Sequence, residues 1–154
     1  MIDFSASRQF GSSNRRAAFA YAETNVVSGA LDASPHSLIL MLIDGALEAI
    51  GQAQAHLASN NTQAKNAAAS KALRIIEEGL RASLDRENGG GIAQRLDGLY
   101  DYMARRMLMA NLKNDASGYA EVGKLLREVR SGWEGITAEV GSTGGVATLA
   151  KHMQ

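Results

Sequence analysis

No cysteine occurs among the 154 residues, which excludes disulfides and thiolate metal sites and permits a cytosolic address. Proline occurs once, so almost nothing interrupts long helices. An excess of either charge is also missing. The 16 basic residues cancel the 16 acidic ones, which removes the electrostatic ground for expecting nucleic acid or an anionic membrane as partner. The longest apolar run, residues 38–43, is far short of the roughly 20 residues that cross a bilayer. The opening MIDFSASRQFGSSNRR has no apolar stretch of secretory length. A neutral chain without membrane insertion or nucleic acid, acting in the cytosol on proteins or small ligands, is the expectation.

What is there is helical. Ser34 and Pro35 have the chemistry of an N-cap and first helical position, and the apolar pattern continues to about Ser59. Asn60, Asn61 and Thr62 form a turn. A second helix follows with Ala69, Ala72, Leu73, Ile76, Leu80, Ser83 and Leu84 on one face, and is expected to end near Asn88. After Gly89, Gly90 and Gly91 comes a third helix with Ile92, Leu96, Leu99, Met103, Met107 and Ala110 spaced by threes and fours. Asn114 and Asp115 end it and cap a fourth, whose seam runs Tyr119, Val122, Leu126, Val129, Trp133, Ile136 and Val140. No strand-like alternation competes.

The expected architecture is all-α: an antiparallel up-and-down four-helix bundle with an additional short N-terminal helix over residues 14–27 (NRRAAFAYAETNVV). The bundle domain is expected over 14–140, with flexible tails over 1–13 and 141–154 that are rich in Gly, Ser and Thr.

Catalytic constellations fail one by one. A di-iron carboxylate bundle needs Glu-x-x-His on two helices, but Ala33, Ala53 and Leu149 stand three before the histidines. The histidines form no i, i+4 pair for zinc and are read as solvated or capping residues. GYAEVGK, residues 118–124, has phosphate-loop spacing, yet Leu125 follows the lysine and the segment lies within a helical seam. The paired arginines Arg105 and Arg106 read as a solvated helix face on a neutral chain. No enzyme, cofactor or metal is expected.

One feature remains unexplained by a simple bundle. In HSLILMLIDGALEAI the consecutive apolar residues 38–43 point all round a helix, whereas a bundle helix needs roughly three positions in seven. One stripe runs through Leu38, Met41, Leu42, Gly45, Ala49 and Ala53; another runs through Leu40, Ile43, Leu47, Ile50 and Leu57. The third helix has a similar surplus in Tyr100, Leu108, Met109 and Leu112. Two readings are open. Either a five-element domain buries the surplus, or part of it is a groove for an amphipathic helix or apolar segment of a partner.

Several blocks, AYAETNV, ASPHSLILMLIDGA, SLDRENGGGIAQRLDGLYDYMARR, ANLKND and EVGKLLREVRSGW, together resemble the flagellar secretion chaperone family FliS in order and spacing, over about residues 17–138. The resemblance implies a cytosolic helical bundle that holds the C-terminal region of newly made flagellin. That region is disordered before assembly and becomes helical on the chaperone, which blocks premature polymerisation, and the complex goes to the flagellar type III export gate, whose components are further partners. The apolar surplus suits such a role, because ordering a disordered client must be offset by buried apolar area.

On the same resemblance, Tyr21 corresponds to the family's N-terminal tyrosine, Asp44, Gly45 and Ala46 to its DGA step, and Tyr100, Tyr102, Met103 and Arg106 to its LY-x-YM-x-RR run. Gly45 is expected to permit close helix approach. The flagellin-groove candidates are Tyr21, Leu40, Ile43, Leu47, Ile50, Tyr100, Tyr102, Met103 and Arg106. Ile43, Gly91 and Arg95 depart from the family pattern, where tyrosine, glutamate and asparagine are usual. The alternative is a helical adaptor or self-associating bundle, homodimeric when unliganded.

Overall fold

The computed structural model describes residues 34–136. The helix expected over 14–27, both tails, Tyr21 and Val140 lie outside the described residues. Within them run α1 (Pro35–Ala58), α2 (Thr62–Arg74), a π-helical continuation of α2 (Ile75–Arg81), α3 (Gly90–Lys113) and α4 (Ala116–Gly135), with no strand.

The caps read at Ser34 and Asp115 are formed, and Asn61, read as a turn residue, is a third. The Ser34 hydroxyl accepts from the Ser37 amide at 3.1 Å, Asn61 Oδ1 from Ala64 at 3.2 Å, and Asp115 Oδ1 from Ser117 at 3.0 Å. Each satisfies an amide that has no partner inside its helix. Asn114 ends α3 in the left-handed region at φ 54°, a conformation asparagine tolerates.

The second helix stops earlier than its pattern suggested. It widens into the π form at Ile75 and ends at Arg81, and residues 82–89 turn back. Local side chains offer the backbone other partners there. The Ser83 hydroxyl donates to Leu80 O at 2.7 Å, and Asp85 Oδ1 accepts from the amides of Glu87 and Asn88 at 3.2 and 3.0 Å. Gly90, at φ +56°, completes the reversal into α3.

Cross-links between helices establish the up-and-down order. Gly79 of the π segment lies against Leu42 of α1. Arg81 bonds Asp97 at the start of α3 (2.8 Å), while Lys65 at the start of α2 bonds the Asn111 carbonyl near the end of α3 (2.9 Å). Arg106 meets Asp115 across the α3–α4 turn. At the opposite end, Trp133 Nε1 donates to His36 O at 3.0 Å, and Arg130 grips both Asp44 oxygens at 2.6 and 3.1 Å. Each helix therefore packs antiparallel on its sequence neighbour, and α4 closes the ring on α1.

The apolar excess of α1 is answered by this ring. Leu38, Leu42, Ala46, Ala49 and Ala53, and also Ile43 and Ile50, are buried, because α1 packs on α2, the π segment and α4 together. By length and composition α1 is apolar enough to cross a membrane, but Leu38, Leu42, Ile43, Ala46, Ala49, Ile50 and Ala53 belong to the bundle's own core. Gly45 is not what brings the helices close, since a Cβ there would meet Ile75 Cδ1 at an ordinary 3.5 Å. The tight approach is at Gly79, where a Cβ would lie 3.1 Å from Leu42 Cδ2. Nor is His36 simply solvated: its ring stacks on Trp133 with centroids 5.1 Å apart and planes at 11°.

Candidate partner-binding surface

Four of the groove candidates belong to the core. Ile43 and Met103 are 0% exposed, Ile50 2% and Tyr100 3%, so in this arrangement they present no surface to a partner. Adjacent core stripes, one toward each neighbouring helix, account for them. Leu40 and Leu47 are half-buried on α1, Leu47 packing against the core. Tyr102 is exposed and Arg106 half-buried, one turn apart on α3.

Tyr102 and Arg106 converge on α4. The Tyr102 hydroxyl donates to Glu121 Oε2 at 2.5 Å, Arg106 Nε donates to Glu121 Oε1 at 2.7 Å, and Arg106 Nη1 reaches Asp115 Oδ2 at 3.2 Å. The hydrogen bond to Glu121 holds the Tyr102 phenol above its usual pKa. Bonds from Tyr102 and Arg106 hold the Glu121 carboxyl below its own. Asp115 is likewise lowered, first by the Ser117 hydroxyl and then by Arg106, so one carboxylate both caps α4 and anchors the arginine. Arg106 is thus not a merely solvated cation; Arg105 beside it is exposed and pairs with Asp101 at 2.9 Å. The cluster fixes the Tyr102 ring on the surface.

Beyond Tyr102 the outer face of α3 carries three exposed apolar side chains beside Arg105. Leu108 is 51% exposed, Met109 42% and Leu112 70%. The sequence marked these three as surplus without placing them among the candidates. The signal was the phase of α3: with Ile92, Leu96, Met103, Met107 and Ala110 inward, positions 98, 102, 105, 108, 109 and 112 point outward.

Polar groups elsewhere are engaged in holding helices together. Arg81 is shared by Glu77, Asp97 and Asp101, and Arg86 also bonds Asp97. Among the described residues no cluster of three or more His, Asp or Glu could hold a metal ion. The GYAEVGK segment lies inside α4, with Gly118 and Gly123 buried in the helix. Among the described residues most arginines pair with carboxylates, several of them across helices, and an apolar stretch of one helix face is left exposed, the kind of surface a protein partner covers.

Residues 17–140 match the family described as flagellar protein FliS. The chain is 49% identical over 118 residues to the flagellar secretion chaperone FliS of Salmonella typhimurium, covering 77% of this chain and 87% of that one. Identity to the protein of the same name in Escherichia coli is 45% over 115 residues (75% and 85%), and to that of Bacillus subtilis 35% over 102 residues (66% and 74%). The chain therefore belongs to the FliS family of flagellar secretion chaperones. This is a family of chaperones and not of enzymes, and its role is in flagellar export, with a flagellar export substrate as partner.

Proposed function

We propose that the chain is a cytosolic export chaperone that binds the C-terminal region of flagellin, keeps it from polymerising early and carries it to the flagellar type III export gate. The observation that carries this reading is the 49% identity to a protein named as a flagellar secretion chaperone over most of both chains. The exposed apolar face of α3 supports it physically. A bundle that already has a closed core gains nothing internally from Leu112 at 70% exposure, whereas a disordered client needs apolar area to offset its ordering. Tyr102, Arg106, Leu40, Leu47 and Tyr21 are the proposed client contacts.

Calorimetric titration with full-length flagellin and with a form lacking its C-terminal helical region tests the proposal. One-to-one binding that disappears on truncation supports it. Binding that survives truncation would move the client segment elsewhere, and no binding to either form would remove flagellin as the substrate.

A further inference from the structure

The turn between the π segment and α3 contains the one Asn–Gly step of the sequence, Asn88–Gly89. Such a step carries its own chemistry. A glycine has no Cβ to shield its backbone nitrogen, so that nitrogen can attack the side-chain carbonyl carbon of the asparagine before it. The new N–Cγ bond closes a five-membered succinimide, and the side-chain amide nitrogen leaves as ammonia, taking the glycine's proton. Water then opens the ring at either carbonyl and leaves aspartate or isoaspartate. Asparagine counts among the thermolabile residues for this reason.

The fold demands the glycine. A Cβ at Gly89 would lie 2.4 Å from Asp85 O, a backbone atom, and 2.6 Å from Ala93 Cβ, whereas one at Gly91 would meet nothing within 4 Å. What restrains the step is Asp85. Its Oδ2 accepts from the Asn88 side-chain nitrogen at 3.1 Å, its Oδ1 accepts from the Asn88 amide at 3.0 Å, and its carbonyl accepts from the Gly89 amide at 2.8 Å. The nitrogen that would attack and the group that would leave are thus both tied to one residue. The bonds from Asn88 hold the Asp85 carboxyl below its usual range, so it is an ionised acceptor at neutral pH. Asn88 itself is exposed, and water is at hand for the ring opening.

From this we infer that Asn88 is a deamidation site whose rate is set by Asp85: the closed turn keeps the step slow, and each opening of the turn releases it. The product undoes the clamp. An aspartate at position 88 has no donor for Asp85 Oδ2 and sets a second carboxylate against it. Isoaspartate adds a methylene to the main chain just before Gly89, whose place is fixed by its close packing. Either product loosens the start of α3, because the Gly89 carbonyl accepts from Ala93 in its first turn. None of this depends on what the chaperone carries.

The test follows amide loss in the full chain, folded and in denaturant, in mildly alkaline buffer. Trypsin releases Asn88 within residues 87–95, between Arg86 and Arg95, and fragment masses distinguish amide loss at Asn88 from loss at Gln94. The folded chain is expected to lose the Asn88 amide at least about tenfold more slowly than the denatured one. Asp85→Ala, shown to be folded by circular dichroism, is expected to recover most of that difference. Glu87→Ala removes a neighbouring acid but none of the bonds, and is expected to recover none. Equal rates in the folded and denatured parent, or an Asp85→Ala rate equal to that of the folded parent, overturns the inference. If Asp85→Ala unfolds, Asp85→Asn keeps an oxygen for the backbone amides and loses the acceptor for the Asn88 side chain, and its folded rate decides in the same way. Asn88→Asp is expected to melt below the parent, and an unchanged transition would overturn the loosening of α3.

Discussion

Gly118 faces Ala110 across the α3–α4 turn so closely that a Cβ on the glycine would lie 2.6 Å from the alanine's own. The approach lets Arg106 lie over the first turn of α4 and reach both Asp115 and Glu121. On helix propensity alone, Gly118→Ala would stabilise the protein by about 1 kcal/mol. Overpacking wins here, because the obstructing atom is a short side chain fixed to a helix. The substitution is expected to destabilise the bundle by about 1–3 kcal/mol in denaturant titration. A raised midpoint would refute the close contact.

Lys65 is the one buried charged residue among the described residues, at 3% exposure. Its ammonium donates to the Asn111 carbonyl at 2.9 Å and to the Asn114 side chain, and Asn111 Oδ1 in turn accepts from the Tyr119 hydroxyl at 3.0 Å. The cation thus satisfies a last-turn carbonyl of α3 where the helix dipole favours positive charge. Lys65→Met keeps the stem and removes the donor. It is expected to cost about 1–3 kcal/mol by removing two part-buried hydrogen bonds from a charged donor. Hydrogen exchange should show faster opening of the α3–α4 turn than of the α1–α4 contact at the other end.

Acid should loosen the interhelical arginine pairs. Asp97 is lowered chiefly by its hydrogen bond from Arg81, and Glu121 by those from Tyr102 and Arg106. Folded carboxyl pKa values below the unfolded ones mean that the stabilisation is fully present above the unfolded values, near pH 4, and is lost as pH falls through the folded values. Thermal melting is expected to be level in this respect from pH 7 to about pH 5 and to decline below that. In Glu121→Gln the acid decline should be shallower, because one of the titrating groups is gone.

His36 gives a second, separate pH dependence. Partial burial lowers its pKa, so the folded state favours the neutral ring that stacks on Trp133. A base with a lowered folded pKa contributes stability that is present above its unfolded value, near 6.5, and lost as pH falls from there towards the folded value. Trp133 is the only tryptophan, so its fluorescence reports the pair directly. A change in emission below pH 6.5 that is absent in His36→Phe is expected. An identical titration in both proteins would assign the change to another group.

The positions of α1 and α3 show how far periodicity reaches. Ser34 and Asp115 were legible as caps because their chemistry acts within three residues of chain. The early end of the second helix was not, because the competition between helix and turn around Ser83 and Asp85 is decided by a few hydrogen bonds of similar worth. For the site, Tyr102 and Arg106 were found through blocks shared with a family, while the pairing of both with Glu121, 19 and 15 residues further along the chain, had no local trace.

By itself the sequence determined four helices, the caps at Ser34 and Asp115, an apolar excess on two of the helices and the resemblance to a chaperone family. These follow from residue spacing and local chemistry. Only the tertiary structure decided that Ile43 and Ile50 of the excess on α1, and Tyr100 of that on α3, are buried, while Leu108, Met109 and Leu112 of α3 are exposed. Spacing says which side chains share a face. Whether a neighbour covers that face depends on which helices the chain brings beside it, and α1 is packed by α2, the π segment and α4 while the outer stripe of α3 stays open.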